Sequence, residues 1–301
     1  MLTAVAGAMF IASSGVLVRL ADTTPVTVAV YRCLLALPVL AAVALYEDRR
    51  FGGLPPRTLK LAWVAGIFFA IDLVFWHHAI DAVGAGLATV LGNLQVVLVG
   101  FAAWAVLGER PHRSLFVAVP IVLVGVVLIS GVVGQGAYGD DPVMGVVFGV
   151  ATSIAYAAFL LILRQASTDL TRIGGPLFHA TLSSALASLA YGVLVADLDW
   201  NPGPASLGWL LLLALSAQVA GWLLIARSLP RLPAAITSVI LLLQPVGAMT
   251  IAAIVIEERP GPTQLVGALL ILAGVVVATS AHRNRVVAPT LEGAPTFEPG
   301  A

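Results

Sequence analysis

Residues 95–111 (QVVLVGFAAWAVLGERP) and 244–260 (QPVGAMTIAAIVIEERP) are one segment written twice, offset by 149 positions, so that Gln, Glu, Arg and Pro coincide without a gap. At the same offset Gly125, Val126 and Val127 meet Gly274, Val275 and Val276. The repeat unit is too long for a solenoid, and both copies are apolar. Those two properties point to a duplicated membrane domain, the architecture of many transporters.

Hydropathy agrees. The chain is 60% hydrophobic and 10% charged, with a mean hydropathy of +1.03, whereas an ordinary soluble domain carries roughly a quarter of its residues as charges. Fifteen basic and fifteen acidic residues cancel and form no basic stripe, which removes the electrostatic basis for nucleic-acid binding. The lone Cys33 allows neither an internal disulfide nor a cysteine-rich metal site. Apolar sequence begins at Leu2 without a basic leader, which reads as an uncleaved first span.

A helix crossing a bilayer needs about 20 mostly apolar residues. Apolar runs between turn residues predict ten spans, near 2–20, 25–46, 58–80, 83–107, 114–134, 143–165, 175–196, 207–228, 232–256 and 263–281. The even-numbered loops and the C-terminal end hold twelve Lys and Arg residues, and the odd-numbered loops hold only Arg19 and Arg259. The odd loops carry Asp22, Asp81, Asp140, Asp141, Asp197, Asp199, Glu257 and Glu258 instead. The positive-inside rule then predicts both termini in the cytoplasm of an inner-membrane protein. Because five is odd, the second copy enters the membrane in the opposite sense. The expected fold is an all-α polytopic membrane protein: ten transmembrane helices as two inverted five-helix repeats, 1–134 and 143–281, followed by a disordered cytoplasmic tail over 282–301.

The stretch 76–111 (WHHAIDAVGAGLATVLGNLQVVLVGFAAWAVLGERP), its second copy at 233–260, and an Arg early in the second span (Arg32 in YRCLLALP) resemble the EamA-type domain of the drug/metabolite transporter superfamily. One departure is Val96, where the family's pattern has a Pro of the kind kept at Pro245. The resemblance implies export of amino acids, metabolites, nucleotide sugars or drugs, in some members with protons, and implies no cofactor.

Ionisable groups inside lipid are costly and mark function by default. Arg32 and Asp72 fall within spans, about 10 Å and about 12 Å from the same surface at 1.5 Å per residue, a matching depth that allows an ion pair. Such a pair is either a fixed strut between helices, or Asp72 exchanges protons or binds an amine while Arg32 tunes it or takes a carboxylate. His77 and His78 lie one to two turns outside Asp72, where a histidine can relay protons; Trp76 is one turn away on the same face. Interfacial placement is the competing reading for all three. Gln95 and Gln244 reach the bilayer middle, about 18 Å from the ends of their spans, where an amide suits a polar solute; Asn93, Gln218 and Trp222 are candidates to join them, and Tyr156 to wall the cavity. Hydrogen bonding between helices explains the amides equally well. Ser13, Ser14 and Ser153 read as packing residues, His179 as interfacial, and Glu109 and Glu258 as solvated caps or local ion pairs.

No nucleophile elbow, zinc-helix motif, C-x-x-C or phosphate-binding loop is present, so the chain is not expected to be an enzyme or ATP-driven. The expected activity is secondary transport of a small polar or amphipathic metabolite, proton-coupled, with a small solute, the lipid bilayer and a second copy of the chain as candidate partners. A membrane enzyme acting on a lipid-linked group through Asp72 and His77, or a passive channel or structural subunit, are the alternatives.

Overall fold

The computed structural model describes residues 2–95, 97–98, 113–129, 133, 138–167, 169, 171–228 and 243–286. Val96, Glu109, most of the repeated segment 95–111 and residues 229–242 lie outside the described residues.

Every regular element among the described residues is helical: α1 (Leu2–Ala12), α2 (Ser14–Ala21), α3 (Pro25–Phe51), α4 (Pro56–Val83), α5 (Ala85–Gly92), α6 (Arg113–Ile129), α7 (Pro142–Ala166), α8 (Gly174–Val195), α9 (Gly203–Leu213), a π-helical segment (Ala214–Gly221), α10 (Trp222–Ser228), α11 (Leu243–Val255) and α12 (Pro262–Val286). Five helices are long and apolar enough to cross a membrane: Pro25–Phe51, Pro56–Val83, Pro142–Ala166, Gly174–Val195 and Gly203–Arg227. Large aliphatic side chains face outward, Leu194 at 84% and Ile254 at 73% exposure, while Arg32, Asp72, His77 and Gln218 face inward. That inversion of the soluble pattern is what a lipid environment requires. The protein is a multi-pass membrane protein.

Local chemistry sets the helix starts. α3 and α7 open with Pro at the first turn, where no amide hydrogen is needed. Thr24 Oγ1 accepts from Thr27 N at 3.3 Å, and Asp141 Oδ1 from Met144 N at 3.0 Å, each capping an otherwise unmet donor. α4 stops at Gly84, whose φ of +89° an L side chain rarely adopts.

The two sequence halves pack mainly on each other. α4 lies against α7 and α8, α3 against α8, α5 against α11, and α6 against α12, while α1 contacts the π segment, α10 and α11. At one end of the bundle Thr24 Oγ1 donates to the Asp197 carbonyl at 2.7 Å, Asp199 N donates to Thr27 Oγ1 at 2.8 Å, and Arg19 lies 3.7 Å from Asp81. At the other end Arg172 donates to the carbonyls of Phe51, Gly52 (2.9 Å) and Gly53 (2.8 Å).

Two buried carboxylates join the halves at these ends. Glu47, at the end of α3, accepts from the backbone N–H groups of Ile173 (3.1 Å), Gly174 (2.9 Å) and Gly175 (2.8 Å), capping α8. Glu258 accepts from Ala85 N (2.7 Å) and Gly86 N (3.1 Å), capping α5. Glu258 was expected to be a solvated cap or local ion pair, and the structure corrects this: it is 4% exposed and caps a helix of the other half, where the helix dipole favours a negative charge. The expected tail from 282 also changes. α12 continues to Val286, since no Gly or Pro interrupts the sequence before Pro289.

Candidate functional site

Helices from both halves converge on a cavity of about 70 Å³. Seven of the ten sequence-derived candidates line it: Arg32, Asp72, Trp76, Asn93, Tyr156, Trp222 and Gln244.

Arg32 is held from behind. It is 3% exposed, and its Nε donates to Gln218 Oε1 at 3.1 Å. Gln218 Nε2 in turn donates to Thr181 Oγ1 at 3.1 Å, so the chain Thr181, Gln218, Arg32 runs from α8 through the π segment to α3. π-helical stretches are rare and concentrate at functional sites, and this one carries the residue that orients the arginine. The guanidinium carbon lies 5.8 Å from the centre of the Trp76 ring, within cation–π range.

Asp72 and Trp76 are one turn apart on α4 and face the same space. The ion pair that matching depth allowed is not made as a direct contact: no guanidinium nitrogen comes within 4.0 Å of the Asp72 carboxylate. Gln218 takes the Nε donor instead, and both charges are left facing the cavity. The Asp72 carbonyl accepts from Thr152 Oγ1 at 3.2 Å, which fixes α7 against α4 at this level.

One wall is aromatic. Phe69 stacks on Phe159 at 4.5 Å, Phe159 meets Trp222 edge-on at 5.3 Å, and Tyr156 lies 6.1 Å from Phe159 and 6.2 Å from Trp222. On the opposite side the helix breaks. α5 ends at Gly92, Asn93 and Leu94 form a turn, and Asn93 Nδ2 donates to the Thr89 carbonyl at 2.9 Å. Interrupted helices at membrane depth are tolerated where they border a cavity.

Three candidates stand off the wall. His77 is fully buried, with Nδ1 3.1 Å from the Pro25 carbonyl at the start of α3; a carbonyl can only accept, so Nδ1 carries the proton. Gln218 lies behind Arg32. Gln95 is buried at 4% exposure without lining the cavity. Of the interfacial and packing residues, His78 stacks on Phe148 at 5.1 Å and Ser153 Oγ donates to the Val150 carbonyl at 2.7 Å. Ser14, read from sequence as packing, lines the cavity, as do Ile11, Phe69, Leu73, Thr89, Gly92 and Thr152, which the sequence did not single out. Their only sequence signal is helical spacing: Phe69 and Leu73 flank Asp72 on α4, and Thr89 is one turn before Asn93.

Among the described residues, no group of three or more His, Cys, Asp or Glu side chains is placed to hold a metal.

A solved crystal structure described only as "Crystal structure of protein" shares the fold, with a TM-score of 0.61 over 95% of this chain and 98% of that one, at 16% identity. In sequence the chain is similar to the "Uncharacterized transporter YwfM" of Bacillus subtilis (strain 168), 24% identical over 230 residues, which is 76% of either protein. The model of the EamA-like transporter family matches twice, over residues 1–131 and 143–280. These matches leave only a short connector and the C-terminal end uncovered, and the chain belongs to the EamA-like transporter family.

Proposed function

We propose that the protein is a secondary transporter of the cytoplasmic membrane. It exports a small polar or amphipathic metabolite, an amino acid or related compound, by alternating access in exchange for protons, with ten spans arranged as two inverted five-helix repeats and both termini cytoplasmic. The observation that carries this reading is one small cavity to which both halves contribute polar groups, Arg32 and Asp72 from the first, Trp222 and Gln244 from the second. A site shared between halves is where rocking one half against the other changes access. The element positions support the repeat: α3 and α8 begin 149 residues apart, at Pro25 and Gly174, and so do α6 and α12, at Arg113 and Pro262. The size of the cavity favours a small solute, since drug-sized ligands occupy pockets of roughly 300–1,000 Å³.

Asp72 is the proton-exchanging group in this reading, because it is the buried carboxylate on the cavity wall. The test is solute flux into proteoliposomes with and without an opposing pH gradient. Saturable flux stimulated by the gradient in the wild type, and gradient-indifferent flux in Asp72→Asn, supports the proposal. Indifference in both removes proton coupling. A chemically altered solute would point to an enzyme, and flux that neither saturates nor shows counterflow to a channel.

A further inference from the structure

Helices of opposite halves pack on each other as the pairs α3–α8 and α5–α11, and the two pairs are tied differently. α3 and α8 are joined at both ends: Glu47 accepts from Ile173, Gly174 and Gly175 at one, while Thr24 and Thr27 bond to Asp197 and Asp199 at the other. α5 and α11 are held at one end. There Glu258, three residues beyond α11, accepts from Ala85 N and Gly86 N in the first turn of α5. At the other end, beside the cavity, Asn93 Nδ2 bonds back to the Thr89 carbonyl and Gln244 Nε2 has no partner.

The backbone on both sides of this contact is built for it. Glu257 adopts a φ of +53°, which an L side chain rarely takes, and Glu258 N then donates back to the Ala252 carbonyl at 3.2 Å, so the chain accepts a disfavoured turn at the end of α11 where it presents the carboxylate. Gly84 and Tyr138 enclose that carboxylate: a Cβ on Gly84 would lie 3.0 Å from Glu258 Cδ and 2.8 Å from Tyr138 Cε1. α5 itself is a short rigid piece, about 12 Å at 1.5 Å per residue, between two places where the backbone can turn, Gly84 at φ +89° and the turn at Asn93 and Leu94. It runs from the Glu258 contact to Thr89 and Gly92 on the cavity wall, and α11 covers the same interval in the opposite direction, from Gln244 on that wall to Val255.

We infer that Glu258 is a positioning residue for transport: its two hydrogen bonds latch α5 to the end of α11 and close the path from the cavity to the end of the bundle that carries Arg19 and Asp81, a reading that rests on the transporter assignment and on that end being the outer one. Bonds from a carboxylate to a helix N-terminus are charge-assisted and hold the closed form. Once α5 swings away, water hydrates the carboxylate and both amides, so the latch exchanges one set of partners for another and is reversible. The α3–α8 pair, fixed at both ends, is the part that stays.

The test places a reporter on the cavity wall: Thr89→Cys in a Cys33→Ser background, which keeps the hydroxyl partner of Ser184. Reaction with a membrane-impermeant methanethiosulfonate is timed from the outer face in intact cells and from the inner face in inverted vesicles. Glu258→Gln keeps one carbonyl acceptor and loses the charge; it is expected to raise the outer rate about tenfold and leave the inner rate unchanged, while Glu47→Gln leaves the outer rate unchanged. An unaltered outer rate in Glu258→Gln overturns the latch, as does an equal rise from both faces, which marks general loosening. A second measurement keeps Glu258 in place. A Cβ on Gly86 would lie 3.1 Å from Met249 Cα, close enough for the pair Gly86→Cys and Met249→Cys to form a disulfide across α5 and α11. Oxidation of that pair is expected to stop solute flux in proteoliposomes and reduction to restore it. Saturable, gradient-stimulated flux by the oxidised pair overturns the latch and leaves the transporter reading standing.

Discussion

Gln218 and Arg32 meet through a single hydrogen bond of 3.1 Å, and that bond ties the π segment of the second half to α3 of the first, directly behind the cavity. Removing the acceptor leaves a buried guanidinium N–H unmet and frees the arginine to rotate. Gln218→Leu is expected to cost about 1–3 kcal/mol of stability, read as a lower unfolding temperature in detergent, and to raise the KM for transport. Gln218→Glu separates the two effects. A carboxylate at this position pairs with Arg32, so the fold is retained, but the cation is then satisfied internally and transport is lost. Normal transport by Gln218→Glu would show that Arg32 does not act on the solute.

The carboxylate caps make a stability prediction independent of the cavity. Glu47 receives three backbone N–H groups and Glu258 two. A neutral amide has one carbonyl oxygen and brings two donors of its own, so it cannot replace either cap. Glu47→Gln and Glu258→Gln are each expected to destabilise by about 1–3 kcal/mol. The two caps sit at opposite ends of the bundle and share no partner, so the double variant should add within about 0.5 kcal/mol. Urea or thermal unfolding of all three proteins checks this; a double variant no less stable than either single one would mean that the caps report one shared opening.

Sequence reasoning reached Arg32 and Asp72 because a charge inside an apolar run stands out against its neighbours. It could not separate Phe69, which walls the cavity, from Ile71, which is 40% exposed two residues on. In lipid the outer face is as apolar as the inner, so the periodicity that marks a buried face in a soluble helix carries no contrast. Glu258 was misread and Glu47 not singled out for a different reason: they find their partners 172 to 173 and 126 to 128 residues away, in the other half. The π segment shares this origin. No Pro interrupts Ala214–Gly221, and its irregular winding goes with contacts to α1 and α3 that local propensity does not encode.

α6 and α12 cross where two glycines face each other. A Cβ placed on Gly125 would lie 2.7 Å from the Gly267 carbonyl oxygen, and one on Gly267 would lie 2.6 Å from the Gly125 oxygen. Small residues at such crossings let membrane helices approach through their backbones. Gly125→Ala is expected to force the pair apart at a cost of about 1–3 kcal/mol, and Gly125→Leu to prevent stable folding. Because neither glycine touches the cavity, Gly125→Ala protein that survives purification should keep the wild-type KM. The measurement is the unfolding temperature beside proteoliposome kinetics on the same preparation.

His77 was a candidate for proton relay, yet its ring turns from the cavity toward the first turn of α3, where Nδ1 donates to the Pro25 carbonyl at 3.1 Å. Pro25 opens the helix that carries Arg32, so the geometry makes His77 a pin for α3. The side-chain NH₂ of Asn occupies nearly the position of Nδ1 and can make the same bond, whereas that of Gln reaches nearer to Nε2. His77→Asn is therefore expected to keep both stability and gradient-stimulated flux, and His77→Gln to lower stability by about 1–2 kcal/mol. A histidine that carried protons would give a different pattern, since neither amide titrates and both variants would lose gradient stimulation while still binding solute. Flux with and without the gradient, measured in the two variants side by side, decides between pin and relay.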